Sequence, residues 1–109
     1  MSKYNNKNLN QFSEMFKALS NVHRLNIFLY LAEYCHQGEL STEKEMRLTV
    51  GQLGERLNIA PSTVSHHLKE LRRTGLIRMD RQGKNIECWV EEKTIDRLVA
   101  FFQTSKGRE

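Results

Sequence analysis

The sequence predicts a mainly α domain with a two-stranded β-hairpin inserted late in the chain, in the order α-α-α-α-β-β-α. Three observations carry that reading. Apolar residues recur at helical spacing over about 9–19, 21–35, 49–57, 61–74 and 93–103. Alternation of period two is confined to residues 77–90. The third and fourth helices are joined by a tight turn at Asn58. With 109 residues the chain reads as one domain over 1–109, large enough for a core without disulfides or metal.

The first helix rests on Leu9, Phe12, Phe16 and Leu19, and Ser20 or Asn21 then offers an N-cap for the second. From Val22 to Tyr34 apolar residues fall on more than one side, with Val22, Leu25, Phe28, Leu29 and Ala32 in one stripe and Ile27, Leu31 and Tyr34 in another. A helix apolar around most of its circumference is expected to be the buried, central one. Residues 36–47 are polar and interrupt the pattern. They read as a connection with a Thr42-x-x-Glu45 capping box, or as a backward extension of the third helix. That third helix has Val50, Leu53 and Leu57 on one face and Gly54 at its middle, where close approach of the fourth helix explains the missing side chain. Asn58 tolerates the left-handed backbone that stops a helix sharply.

The fourth helix starts at Pro61, whose fixed φ and absent N–H suit a first helical position. Val64, Leu68 and Leu71 share one face, and Ser62, His66, Lys69 and Arg73 the opposite one. Gly75 closes it. Ile77 and Met79, then Ile86, Cys88 and Val90, mark the inward residues of two strands, with Trp89 among the outward ones and a turn over Arg81–Asn85. The last helix aligns Ile95, Leu98, Val99 and Phe102.

Several classes of protein are excluded or disfavoured. The longest apolar run, Ile27–Ala32, is six residues, against the roughly 20 a membrane span needs. The polar start MSKYNNKNLNQ has no signal-peptide core, so the expected location is cytoplasmic. No nucleophile is paired with a base and no Gly-rich loop is present, so the chain is not expected to be an enzyme. Cys35 and Cys88 are too few for a disulfide framework. Packing explains both, a redox or thiophilic-ligand switch being the alternative, and no cation adjoins either in sequence to activate it.

The charge is informative once located. Residues 61–85 hold six cations against Glu70 and Asp80, a balance equal to the net charge of +4, so the remaining residues are neutral overall. Helix, tight turn and helix, with a cationic outer face on the second and a hairpin bearing Arg81 and Lys84 behind it, describe a winged helix-turn-helix. That arrangement reads double-stranded DNA through the second helix and steadies it through the wing. An ordinary helical hairpin would not need an outer face free of carboxylates. A winged helix used as a protein-interaction adaptor is the competing reading. The apolar stripes of the first and last helices (Leu9, Phe12, Phe16; Ile95, Leu98, Val99, Phe102) suggest a two-fold homodimer interface, or else cover their own core. A dimer would set two reading helices about 34 Å apart on an inverted repeat.

The runs FKALSNVHRLNIFLYL and LTVGQLGERLNIAPSTVSHHLKELRRTGLIRMDRQGKNIECWV resemble the ArsR/SmtB family of winged-helix repressors, over residues 12–102. STVSHHLKELRRTGLI is the most specific part. The resemblance implies a homodimer joined through its first and last helices, repressing its own operon until an inducer weakens binding. Carried over, it implies DNA contacts by Ser62, Thr63, Ser65 and His66, with Arg81 and Lys84 in the wing. Thiophilic-metal sensors of the family carry ELCVCDL before the reading helix; here Thr49 and Gly51 occupy the cysteine positions. The family's last-helix metal site needs a carboxylate and histidines, whereas only Asp96 is present and no His follows His67. No metal or other cofactor is therefore expected.

Overall fold

A computed structural model describes residues 5–35 and 46–105. Its elements are α1 (Asn6–Leu19), α2 (Val22–Cys35), β1 (Leu48–Thr49), α3 (Val50–Leu57), α4 (Pro61–Arg73), β2 (Arg78–Gln82), β3 (Asn85–Trp89) and α5 (Glu92–Ser105). The five expected helices form, with ends displaced by up to three residues. The Thr42-x-x-Glu45 box lies outside the described residues.

Caps set most of these ends. The Asn5 side chain accepts the Asn8 N–H at 2.8 Å and starts α1 three residues before the apolar pattern does. Asn21, rather than Ser20, caps α2 by accepting from His23 and Arg24 N–H. Thr49 and Gln52 form a reciprocal capping box at the start of α3. Asn58 stops α3 at φ 57°, ψ 48°. At the end of α4, Leu76 N–H bonds Leu71 O and Gly75 N–H bonds Arg72 O, both at 3.0 Å. Gly75 at φ 84° completes this Schellman arrangement, which turns Leu76 and Ile77 back into the core.

The sheet corrects the two-stranded expectation. Three antiparallel strands lie in the order β1-β3-β2, because Leu48 and Thr49 pair with Cys88 and Glu87. Residues 46–49 thus enter α3 from a strand and do not extend the helix backwards. The hairpin is also tighter than expected: Gln82 pairs with Asn85, leaving the two-residue loop Gly83-Lys84 with Gly83 at φ 63°. Trp89 is another correction. It is buried, because β1 brings Arg47 over it with the guanidinium 3.8 Å from the ring centroid.

The core gathers Phe12, Met15 and Ala18 of α1, Ile27, Phe28 and Leu31 of α2, and the inner faces of α3, α4 and β3. Leu53, Val64, Leu68 and Leu71 are fully enclosed, each worth roughly 1.5–3 kcal/mol of transfer free energy. Two expectations change here. Phe12 is 3% exposed and stacks on Phe101 at 4.5 Å, so it belongs to the protomer's own core and is not an interface residue. The stripe assigned to α2 splits: Phe28 and Ala32 are buried, whereas Val22, Leu25 and Leu29 are exposed. Among the described residues α2 is therefore sheltered on one side only.

Candidate nucleic-acid interface

The third and fourth helices cross at Gly54. A Cβ there would come within 2.7 Å of the Ile59 carbonyl, and in ordinary contact with Val64 and Pro61. The constraint thus comes chiefly from the turn backbone, which Ile59 N–H pins by bonding Gly54 O at 2.8 Å, and less from the second helix itself.

This crossing leaves the start of α4 open. Ser62, Thr63 and His66 are exposed and Ser65 half-buried. The helix begins on Ala60, which makes no side-chain cap bond. Thr63 and Val64 N–H both bond Ala60 O, while Ser62 N–H has no acceptor among the described residues. A helix start with a spare N–H, the positive end of the helix dipole and no carboxylate in its first turn is suited to a phosphate. Lys69 projects to solvent further along the helix, and Arg81 and Lys84 are exposed at the wing tip.

His66 is flanked by His67, ring centroids 5.6 Å apart, and His67 stacks on His23 at 5.9 Å. Burial, then the neighbouring Arg24, His66 and His23, push the His67 pKa below the ordinary imidazole value. The shift favours the neutral ring, which joins α4 to α2 by packing.

Arg73 departs from its expected role. Its Nη2 lies 3.1 Å from Glu14 Oε1, and its Nε donates to Glu70 Oε1 at 3.0 Å. The guanidinium is held between α1 and its own helix by two carboxylates, Glu14 also pairing with Lys17 at 3.6 Å, at the end of α4 remote from the open turn. Those bonds raise the Arg73 pKa and lower those of Glu14 and Glu70. Regional charge counting missed this, because Glu14 is 59 residues away in sequence.

Of the two thiols, Cys88 is fully buried and its Sγ donates to Leu48 O at 3.3 Å, as a packed residue would. Cys35 closes α2, and its side chain lies outside the described residues. No group of three or more His, Cys, Asp or Glu among the described residues is placed to hold a metal ion.

On the far side, Leu9 is 39%, Val99 48% and Phe102 58% exposed, while Phe16, Ile95 and Leu98 are partly covered by their own core. Phe16 sits 5.5 Å from both Phe101 and Phe102, so α1 and α5 already touch within one protomer.

Comparison with known proteins agrees with this geometry. Residues 22–79 match the family described as bacterial regulatory protein, arsR family. The HTH-type transcriptional regulator YbzH of Bacillus subtilis (strain 168) is 36% identical over 97 residues, covering 84% of this chain and 94% of that protein. A second regulator of that organism, YceK, is 33% identical over 93 residues, covering 84% of this chain and 83% of its own. Among solved structures, a homodimeric winged helix-turn-helix DNA-binding domain, Mb0332 from Mycobacterium bovis, aligns with a TM-score of 0.66 at 25% identity. It covers 97% of this chain and 90% of that one. Reduced HlyU from Vibrio cholerae N16961 has the same fold, with a TM-score of 0.63 at 24% identity, covering 94% and 95%. The chain belongs to the ArsR family and is a winged helix-turn-helix, DNA-binding transcriptional regulator.

Proposed function

We infer that two copies of this chain form a symmetric dimer that binds an inverted-repeat operator, acting in the cytoplasm to repress its own operon by covering a promoter. The observation that carries the reading is the open first turn of α4, exposed and free of carboxylates, in a chain whose wing tip is cationic. Ser62, Thr63, Ser65 and His66 meet base edges and the nearest phosphates, and Lys69, Arg81 and Lys84 meet phosphates alone. Arg73 is left out of that set. Leu9, Val99 and Phe102 supply the apolar surface that the second copy covers. The homodimeric description of the Mycobacterium bovis domain supports this arrangement. The reading requires no resident metal or cofactor, and no described helix is long and apolar enough to cross a membrane.

Footprinting on the DNA upstream of the protein's own coding region, at two salt concentrations, tests it. A protected inverted repeat that fades steeply as salt rises is the expected result. No salt-dependent affinity for duplex DNA would favour the protein-adaptor reading instead.

A further inference from the structure

Compensation sorts the arginines of this chain. Arg73 is paired with two carboxylates, and so is Arg47, which lies 3.4 Å from Glu87 and 3.8 Å from Asp80. At the C-terminal end of α4 the balance reverses. A cleft of about 360 Å³ opens there between α4, the root of β2 and the first turn of α5. Arg72, Arg78, Lys93 and Arg97 line it, with Glu91 as the one carboxylate in its wall. Glu91 is stretched between two cations, 3.9 Å from Arg78 Nη1 and 3.9 Å from Lys93 Nζ. Arg72 makes no ion pair among the described residues. Arg97 is oriented by neutral groups, donating to Gln11 Oε1 at 3.0 Å and lying 5.2 Å from the Phe12 ring centroid.

The walls also carry Ile77, Met79 and Thr94. Thr94 is 7% exposed. With Glu91 shared between Arg78 and Lys93, four cations against one carboxylate leave a net positive charge on a concave, partly apolar surface, which favours an anion. Guanidinium groups give paired donors matched to carboxylate and phosphate oxygens. The volume is near the lower bound for small-molecule sites, roughly 300 Å³. The cleft stands apart from the open first turn of α4. Arg72 lies ten residues, about 15 Å, along α4 from Ser62, and the cleft adjoins the wing's root, not its tip.

We propose that this cleft binds a small, multiply charged anion, either a phosphate ester or a di- or tricarboxylate. The site is separate from the DNA-reading surface, and its occupancy does not require DNA. Titrating the full chain with pyrophosphate and, separately, with citrate at fixed ionic strength, followed by calorimetry and amide NMR, tests it. Saturable binding of one of them is expected, with shifts at Arg78, Thr94 and Arg97. Preference for pyrophosphate identifies a phosphate ester, and preference for citrate a carboxylate. The Arg78→Gln/Arg97→Gln variant should weaken binding about tenfold or more, and Arg81→Gln/Lys84→Gln should bind as the parent does. If the first variant does not fold, the shift map of the parent chain decides. Absence of saturable binding at millimolar anion, or an equal loss in the wing-tip variant, overturns the proposal.

Discussion

The first turn of α4 is polar and uncharged and its last turn is cationic, and the fold treats the two ends in opposite ways. Over its first two turns, Ser62, Thr63 and His66 stand open with no carboxylate among them, and the Ser62 N–H has no acceptor among the described residues. At the last turn, Arg73 is gripped by Glu14 and Glu70, Thr74 is buried with its hydroxyl donating to Leu71 O at 3.0 Å, and Gly75 seals the helix. The first turn leaves a backbone donor for a ligand to complete; at the last turn the protein itself satisfies Arg73, while Arg72 beside it faces the cleft. Positive charge alone therefore does not mark a contact surface. What distinguishes it is positive charge, or a donor, that the protein has not already neutralised.

Four changes break or sharpen this contrast. The largest effect is expected from Ser65→Ala and His66→Ala at the open end. Each base-edge contact is worth about 1–3 kcal/mol, so operator affinity measured by gel shift should fall roughly tenfold to a hundredfold. Next is Gly54→Ala, which drives a Cβ against the Ile59 carbonyl beneath that same turn. Overpacking of this kind costs about 1–3 kcal/mol, and a lowered midpoint in denaturant should report it. The Arg81→Gln/Lys84→Gln pair removes two phosphate contacts. Counted over both copies of the dimer that is four contacts, so the slope of log affinity against log salt should flatten by about 4, with sequence preference kept.

The smallest effect on DNA is expected at the sealed end. Arg73→Gln should leave operator affinity nearly unchanged and alter only the response of stability to acid. Hydrogen bonds to Arg73 hold the pKa values of Glu14 and Glu70 below the ordinary carboxylate value of 4.5. A depressed carboxylate pKa contributes stability that is present in full above the ordinary value and is lost as pH falls through the folded one. Below pH 4.5 the parent should therefore lose stability more steeply than the variant. A large loss of operator affinity in Arg73→Gln would erase the distinction between the two ends.

Much of what is caused within a few residues was displayed by the sequence, although the Asn5 cap, the Thr49–Gln52 box and the two-residue turn of the hairpin, all local, were not foreseen. Pro61 at the start of α4, Asn58 and Gly75 at helix ends, and the enclosed trio Val64, Leu68 and Leu71 follow from local φ preferences and a 3.6-residue period. The rest of what escaped was set by residues distant in the chain. The pairing of Leu48 and Thr49 with β3 adds a strand that two residues cannot announce by alternation. Burial of Trp89 depends on Arg47, 42 positions earlier, lying over its ring. The withdrawal of Phe12 into the core depends on Phe101, and the neutralising of Arg73 on Glu14. The block of six cations likewise looked like one surface and is divided by the fold into a wing tip, a latched arginine, the lining of a cleft and Lys69 on the outer face of α4. The winged helix-turn-helix itself was readable because the turn chemistry, both periods and the family resemblance pointed to it together.

The most direct test of the open-end claim is an amide NMR map of the chain titrated with an operator duplex. Large shifts at Ser62 to His66 and at Gly83 and Lys84, with the amides of Arg72 to Gly75 nearly still, are the predicted result. Large shifts at the Arg72–Gly75 end, with Ser62 to His66 unmoved, would contradict the account.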